Sequence, residues 1–104
     1  MVSIEYSLEA LIDVEHIFQT ILRDKPNAAS EYISKLEKCI DLLEFNKEMG
    51  VKCKHRSVNF DCRILVFEQY KIFYQLHDEE VYILRIIHSK QSIKKKKILK
   101  RKDR

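Results

Sequence analysis

The apolar residues of this chain change their spacing twice, and that change limits the folds open to it more than any other feature. Val2, Ile4 and Tyr6 alternate with Ser3 and Glu5, the two-residue period of a half-buried strand. From Leu8 the spacing becomes helical. Leu8, Leu11, Ile12, Phe18, Ile21 and Leu22 recur at three- and four-residue steps, widened by Val14 and Ile17, and Ser7 is placed to cap the helix. Lys25-Pro26-Asn27 interrupts this pattern, and a proline fits best in the first turn of a new helix. A second helix, from about 27 to 45, gathers Ala29, Tyr32, Ile33, Leu36, Cys39, Ile40 and Leu43 on one side. Gly50 lies past its end, and 51–59 reads as an aperiodic basic loop. Strand signals then return at 61–67, 71–77 and 81–88. They are separated by Phe67-Glu68-Gln69-Tyr70 and His77-Asp78-Glu79-Glu80, which suit hairpin turns but lack an Asn-Gly pair. The order β-α-α-β-β-β predicts an α+β fold: a helix hairpin on one face of a four-stranded, mainly antiparallel sheet, with the opposite face open. A basic tail or short helix follows.

At 104 residues there is room for one core. We expect a domain over 1–91 and a basic tail over 92–104. The net charge of +4 divides unevenly. Residues 90–104 hold nine Lys or Arg against one Asp, giving +8; the other 89 hold eleven basic and fifteen acidic residues, giving −4. Such a tail is either a solvated terminus or a cationic arm for nucleic acid or an acidic partner segment. Apolar runs are only a few residues long, too short for a bilayer span, and Met1–Tyr6 has no signal-peptide character. A cytoplasmic location without membrane contact is expected. The odd, widely spaced Cys39, Cys53 and Cys62 argue for reduced thiols rather than a disulfide framework. No short-spaced ligand pairs accompany them, so neither a metal nor another cofactor is expected.

The first half carries, in order, Ala10-Leu11-Ile12-Asp13-Val14-Glu15-His16-Ile17, Ala28-Ala29-Ser30-Glu31-Tyr32-Ile33, the apolar Leu42, Leu43 and Phe45, and Met49-Gly50. The second half carries Cys62-Arg63-Ile64-Leu65-Val66, Tyr70-Lys71-Ile72-Phe73-Tyr74 and Val81-Tyr82-Ile83-Leu84-Arg85-Ile86-Ile87-His88. In order and spacing these segments resemble the RelE/ParE toxins of bacterial type II toxin–antitoxin systems, some of them known for plasmid stabilisation. The chain departs from the family at Ser89-Lys90-Gln91, where a Gly and then an Arg are common. The resemblance implies a growth-inhibiting toxin neutralised by a cognate antitoxin protein. It leaves open whether the free toxin cuts mRNA in the ribosome or inhibits DNA gyrase without cutting anything.

Metal-independent RNA cleavage needs proton transfer at the 2′-OH and leaving oxygen, and a cation on the phosphorane. Arg63 and Arg85 each interrupt an apolar strand and suit phosphate contact, if both point away from the helix hairpin. The alternative is a structural pair with a carboxylate such as Asp61 or Glu68. His88, at a strand end, and His55, in the basic loop, have a side chain able to exchange protons near neutrality. By alternation His88 faces opposite to Arg85. Lys52, Lys54, Arg56 and Lys90 are candidate phosphate contacts. Tyr70, Tyr74 and Tyr82 read as packing residues, and His16 and His77 as surface residues. The tail carries no Tyr to match one found in some nuclease members.

Overall fold

The computed structural model describes residues 2–53 and 61–90. Lys54, His55 and Arg56 of the basic loop, and the tail beyond Lys90, lie outside the described residues.

Strand β1 (Ser3–Tyr6) leads into helix α1 (Leu8–Asp24). Ser7 makes the joint: its Oγ accepts from the Ala10 amide at 2.9 Å and its hydroxyl donates to the Leu84 carbonyl at 2.8 Å. One side chain thus caps the helix and ties its start to the sheet. Pro26–Ala28 form a 3-10 turn before helix α2 (Ala29–Asp41), and Leu42–Glu44 form another after it. Strand β2 (Val51–Lys52) follows, then β3 (Cys62–Phe67), β4 (Tyr70–His77) and β5 (Glu80–His88).

The sheet has five strands in the order β1-β5-β4-β3-β2. Among the described strands only β1 is parallel to its neighbour, pairing Ile4 with Val81 and Tyr6 with Ile83. The fifth strand, β2, falls in the stretch read from sequence as loop. Two residues are too few to show an alternation, and their place is set by Val51↔Ile64 and Lys52↔Arg63 pairing. Both hairpins turn at the expected residues, with Phe67↔Tyr70 and His77↔Glu80 closing them. Glu68 and Asp78, the first residues of the two turns, take φ values of 51° and 53° in place of the glycine such turns favour.

The main core joins Ala10 and Ile17 of α1 and Leu36, Ile40 and Leu43 of the second helical segment to Leu65, Ile72, Tyr74, Val81, Ile83 and Ile86 of the sheet. The buried stripe of α1 therefore runs through Ala10, Asp13 and Ile17, while Leu8, Leu11 and Ile12 are exposed at 69%, 53% and 47%. That corrects the face assigned from periodicity. α1 is apolar on two sides, and Ala10 has the small side chain that lets a helix approach the sheet closely.

The opposite face of the sheet also departs from expectation. Cys62, Phe73, Leu84 and Ile87 form a second buried cluster there, so its centre is not open. The strands carry apolar residues on both faces, and burying each large side chain contributes on the order of 2 kcal/mol.

Candidate functional site

The candidate residues fall into two groups separated by β4. One lies at the β2–β3 edge and the other at the end of β5. Adjacent strands stand about 4.8 Å apart, so β3 and β5 are about 10 Å apart, and each arginine is directed elsewhere.

At the β5 end, a register shift between Phe73 and Tyr74 pairs Phe73 with Arg85 and Tyr74 with Ile83, leaving Leu84 with no directly opposed residue. This bulge changes the alternation of β5, so that Ile83 and Ile86, three residues apart, both join the helix-side core. β1 has already ended, and the edge of β5 is completed by a side chain. Asp13 of α1 accepts from the Ile86 amide at 2.9 Å through Oδ2. The same carboxylate takes a bidentate pair from Arg85, with Nε to Oδ2 at 2.7 Å and Nη2 to Oδ1 at 2.9 Å. The side chains are 13% exposed for Arg85 and 6% for Asp13. The hydrogen bond to Asp13 holds the Arg85 guanidinium above its ordinary pKa, against the opposing effect of burial. Arg85 is thus turned to α1, not away from the helix hairpin, and its partner is a carboxylate other than Asp61 or Glu68. A carboxylate on the buried stripe of α1, between Ala10 and Ile17, was the sequence signal for this pair.

His88 makes an edge-to-face contact with Tyr70, with centroids 5.3 Å apart. Its Nε2 lies 3.2 Å from Gln69 Oε1, and its Nδ1 accepts from the Lys90 amide at 3.2 Å. An imidazole with its proton on Nε2 satisfies both partners. His88 and Lys90 line a cavity of about 380 Å³ with Asp13, His16, Thr20 and Tyr70. A neighbouring cavity of about 490 Å³ shares Thr20, Tyr70 and His88 and reaches Tyr32 and Glu68. The fold therefore brings His88 and Lys90 together and adds His16, which is exposed on α1 as expected and lines the same cavity.

At the other edge, Arg63 stands opposite Lys52 and Tyr74. Its Nη1 donates to the Gly50 carbonyl at 2.9 Å and the Glu48 carbonyl at 3.3 Å. Tyr74, on the helix-side core, donates its hydroxyl proton to the Lys47 carbonyl at 2.9 Å and accepts from the Gly50 amide at 2.9 Å. The chain after α2 is therefore fastened by two strand side chains. Gly50 is required here for space: a Cβ would meet the Ile64 carbonyl oxygen at 2.7 Å and the Tyr74 ring at 2.8 Å. Arg63, like Arg85, is directed to the protein's own groups. Lys52 is exposed, and no group of His, Cys, Asp or Glu among the described residues could hold a metal ion.

A family model described as the ParE toxin of the type II toxin–antitoxin system parDE matches residues 4–93. The chain belongs to the ParE toxin family. Solved structures share the ParE-family fold seen here. A chromosomal ParDE toxin–antitoxin system from P. aeruginosa superposes with a TM-score of 0.71 at 18% identity, covering 85% of this chain and 96% of that one. A YoeB–YefM complex from Staphylococcus aureus gives 0.54 at 13% identity, covering 85% and 97%. A YoeB dimer from the same organism gives 0.54 at 14%, covering 84% and 95%. No curated protein sequence matches the chain. Among the described residues of this ParE-family chain, no helix is long and apolar enough to cross a membrane.

Proposed function

We propose that this chain is a growth-inhibiting toxin that a cognate antitoxin holds inactive, and that the free toxin acts on DNA gyrase by binding, without cleaving mRNA. The observation that carries the choice of target is the commitment of both strand arginines. Transition-state stabilisation on a phosphorane needs a guanidinium free to grip phosphate oxygens. Arg85 is engaged on both carboxylate oxygens of Asp13, and Arg63 donates to the carbonyls of Glu48 and Gly50. The family match to ParE agrees with this reading.

The antitoxin reading has its own support. Leu8, Leu11 and Ile12 make an exposed apolar stripe on α1, and Leu42, Phe45 and Val51 add exposed apolar surface at 53%, 79% and 69%. Two of the similar structures are toxin–antitoxin complexes. An apolar antitoxin segment laid on α1 would cover surface that a lone domain leaves in water.

mRNA cleavage is favoured by one observation only, the cavity that gathers His16, His88 and Lys90. The experiment separates the two. The toxin is induced with and without any short open reading frame found beside its gene, mRNA is mapped by primer extension, and purified gyrase is assayed for supercoiling. Intact mRNA, blocked supercoiling and relief by the neighbour are expected. Cleaved mRNA with unaffected gyrase would overturn the gyrase reading, and toxicity that no adjacent gene relieves would overturn the antitoxin reading.

A further inference from the structure

We propose that Cys53 and Cys62 are an oxidation site, a cross-strand dithiol that closes to a disulfide and staples β2 to β3. The Cys53 amide donates to the Cys62 carbonyl at 2.8 Å, adding a rung to the ladder beyond Lys52↔Arg63. Cys53 and Cys62 are therefore directly opposed. In a hydrogen-bonded antiparallel pair the Cα atoms stand about 5.5 Å apart. That separation lies inside the range of about 4.4–6.8 Å that a disulfide bridges. Opposed residues share a face, and both side chains pack in the same cluster, away from the helices. Cys62 Sγ donates to the Arg63 carbonyl at 3.8 Å.

The remaining thiol sits elsewhere. Cys39 packs from α2 into the helix-side core, so the sheet separates it from the pair. All three cysteines are free thiols in this structure.

The two members of the pair have different roles. Cys53 is half-buried and reaches an oxidant first, whereas Cys62 is 2% exposed. Burial, and then the neighbouring Cys53, push the Cys62 thiol up to about 12, so it is the later nucleophile. With hydrogen peroxide as oxidant, the Cys53 thiolate attacks one peroxide oxygen. The O–O bond breaks, and hydroxide leaves and is protonated to water. Cys62 sulfur then attacks the Cys53 sulfenic sulfur. The S–O bond breaks, and hydroxide leaves with the Cys62 proton as a second water. Two thiols lose two electrons in all, and one peroxide is reduced to two waters.

The ring closed by this bond spans residues 53–62, and by sequence it contains Lys54, His55 and Arg56. β2 has only two residues, so it gains most from a covalent rung.

The test uses the reduced full-length protein with hydrogen peroxide and, separately, oxidised glutathione. Each should lower the titratable thiols from three to one, remove the mass of two hydrogens, and yield a peptide joining Cys53 to Cys62. Amide exchange at Cys53, whose N–H donates to the Cys62 carbonyl, should slow. Cys39→Ala should go from two titratable thiols to none with the same joined peptide, and Cys53→Ser should form no intramolecular bond. Three surviving thiols, a bridge to Cys39, intermolecular dimers, or a glutathione adduct on Cys53 that never resolves would each overturn the proposal. Mapping on the unmodified chain decides the matter even where a Cys62 variant does not fold.

Discussion

A buried ion pair contributes little net stability, because desolvation offsets most of the attraction, yet removing one partner strands the other. Asp13 and Arg85 fit that description, and Asp13 also holds the Ile86 amide where β1 has ended. Arg85→Ala should lower the unfolding free energy by about 3–5 kcal/mol. Asp13→Asn, which keeps an acceptor for Ile86, should cost less. A double-mutant cycle read by urea denaturation should give a clear coupling energy. An Arg85→Ala protein with the wild-type midpoint would show that the pair carries no structural weight. At this scale the sequence was only partly legible. Arg63 and Arg85 were conspicuous as charges within apolar strands, but their partners came from α1 and from the chain after α2. Contacts between residues 72 positions apart leave no mark in local periodicity.

Among the elements, α1 was the hardest to read, since either of its apolar stripes could have been the buried one. The structure places Ala10, Asp13 and Ile17 inward and leaves Leu8, Leu11 and Ile12 outward. A double substitution, Leu11→Glu with Ile12→Glu, should therefore change stability by no more than about 0.5 kcal/mol per site. If the antitoxin docks there, the same protein should fail to co-purify with it and should stay toxic in its presence. Retained binding would move the antitoxin interface elsewhere. The second helix and the three long strands were legible because each has a single dominant apolar period and clear turn positions. β2 and the bulge at Leu84 were not. Each depends on which strand lies alongside; the bulge comes before Arg85, so Arg85 and His88 still face opposite ways in register with Phe73 and Tyr70, and Arg85 reaches Asp13 only because β1 has ended beside it.

For the molecule as a whole, its half-buried and buried phenols make stability sensitive to alkali. Burial raises Tyr6, Tyr70 and Tyr74 above the ordinary value of 10.0, and raises Tyr32 to about 12 with help from Glu68. The folded state thus favours the protonated phenol. Its contribution is complete below pH 10, where the unfolded chain is protonated too, and declines above it as the unfolded phenols ionise first. The urea midpoint should begin to fall near pH 9, where the unfolded counterparts of the half-buried Cys39 and buried Cys62 thiols ionise, and fall further by pH 11 as the phenols follow; an unchanged midpoint at pH 11 would contradict this. The placement of β1 has a consequence for synthesis. The first strand made rests against the last, with Ser3 to Tyr6 paired to Glu80 to Ile83. On the ribosome the N-terminal segment must wait for the helices and three further strands before its hydrogen-bonding neighbour emerges. A poison assembled this way stays unformed until its fifth strand has been made, a delay that gives its antidote time to be present first.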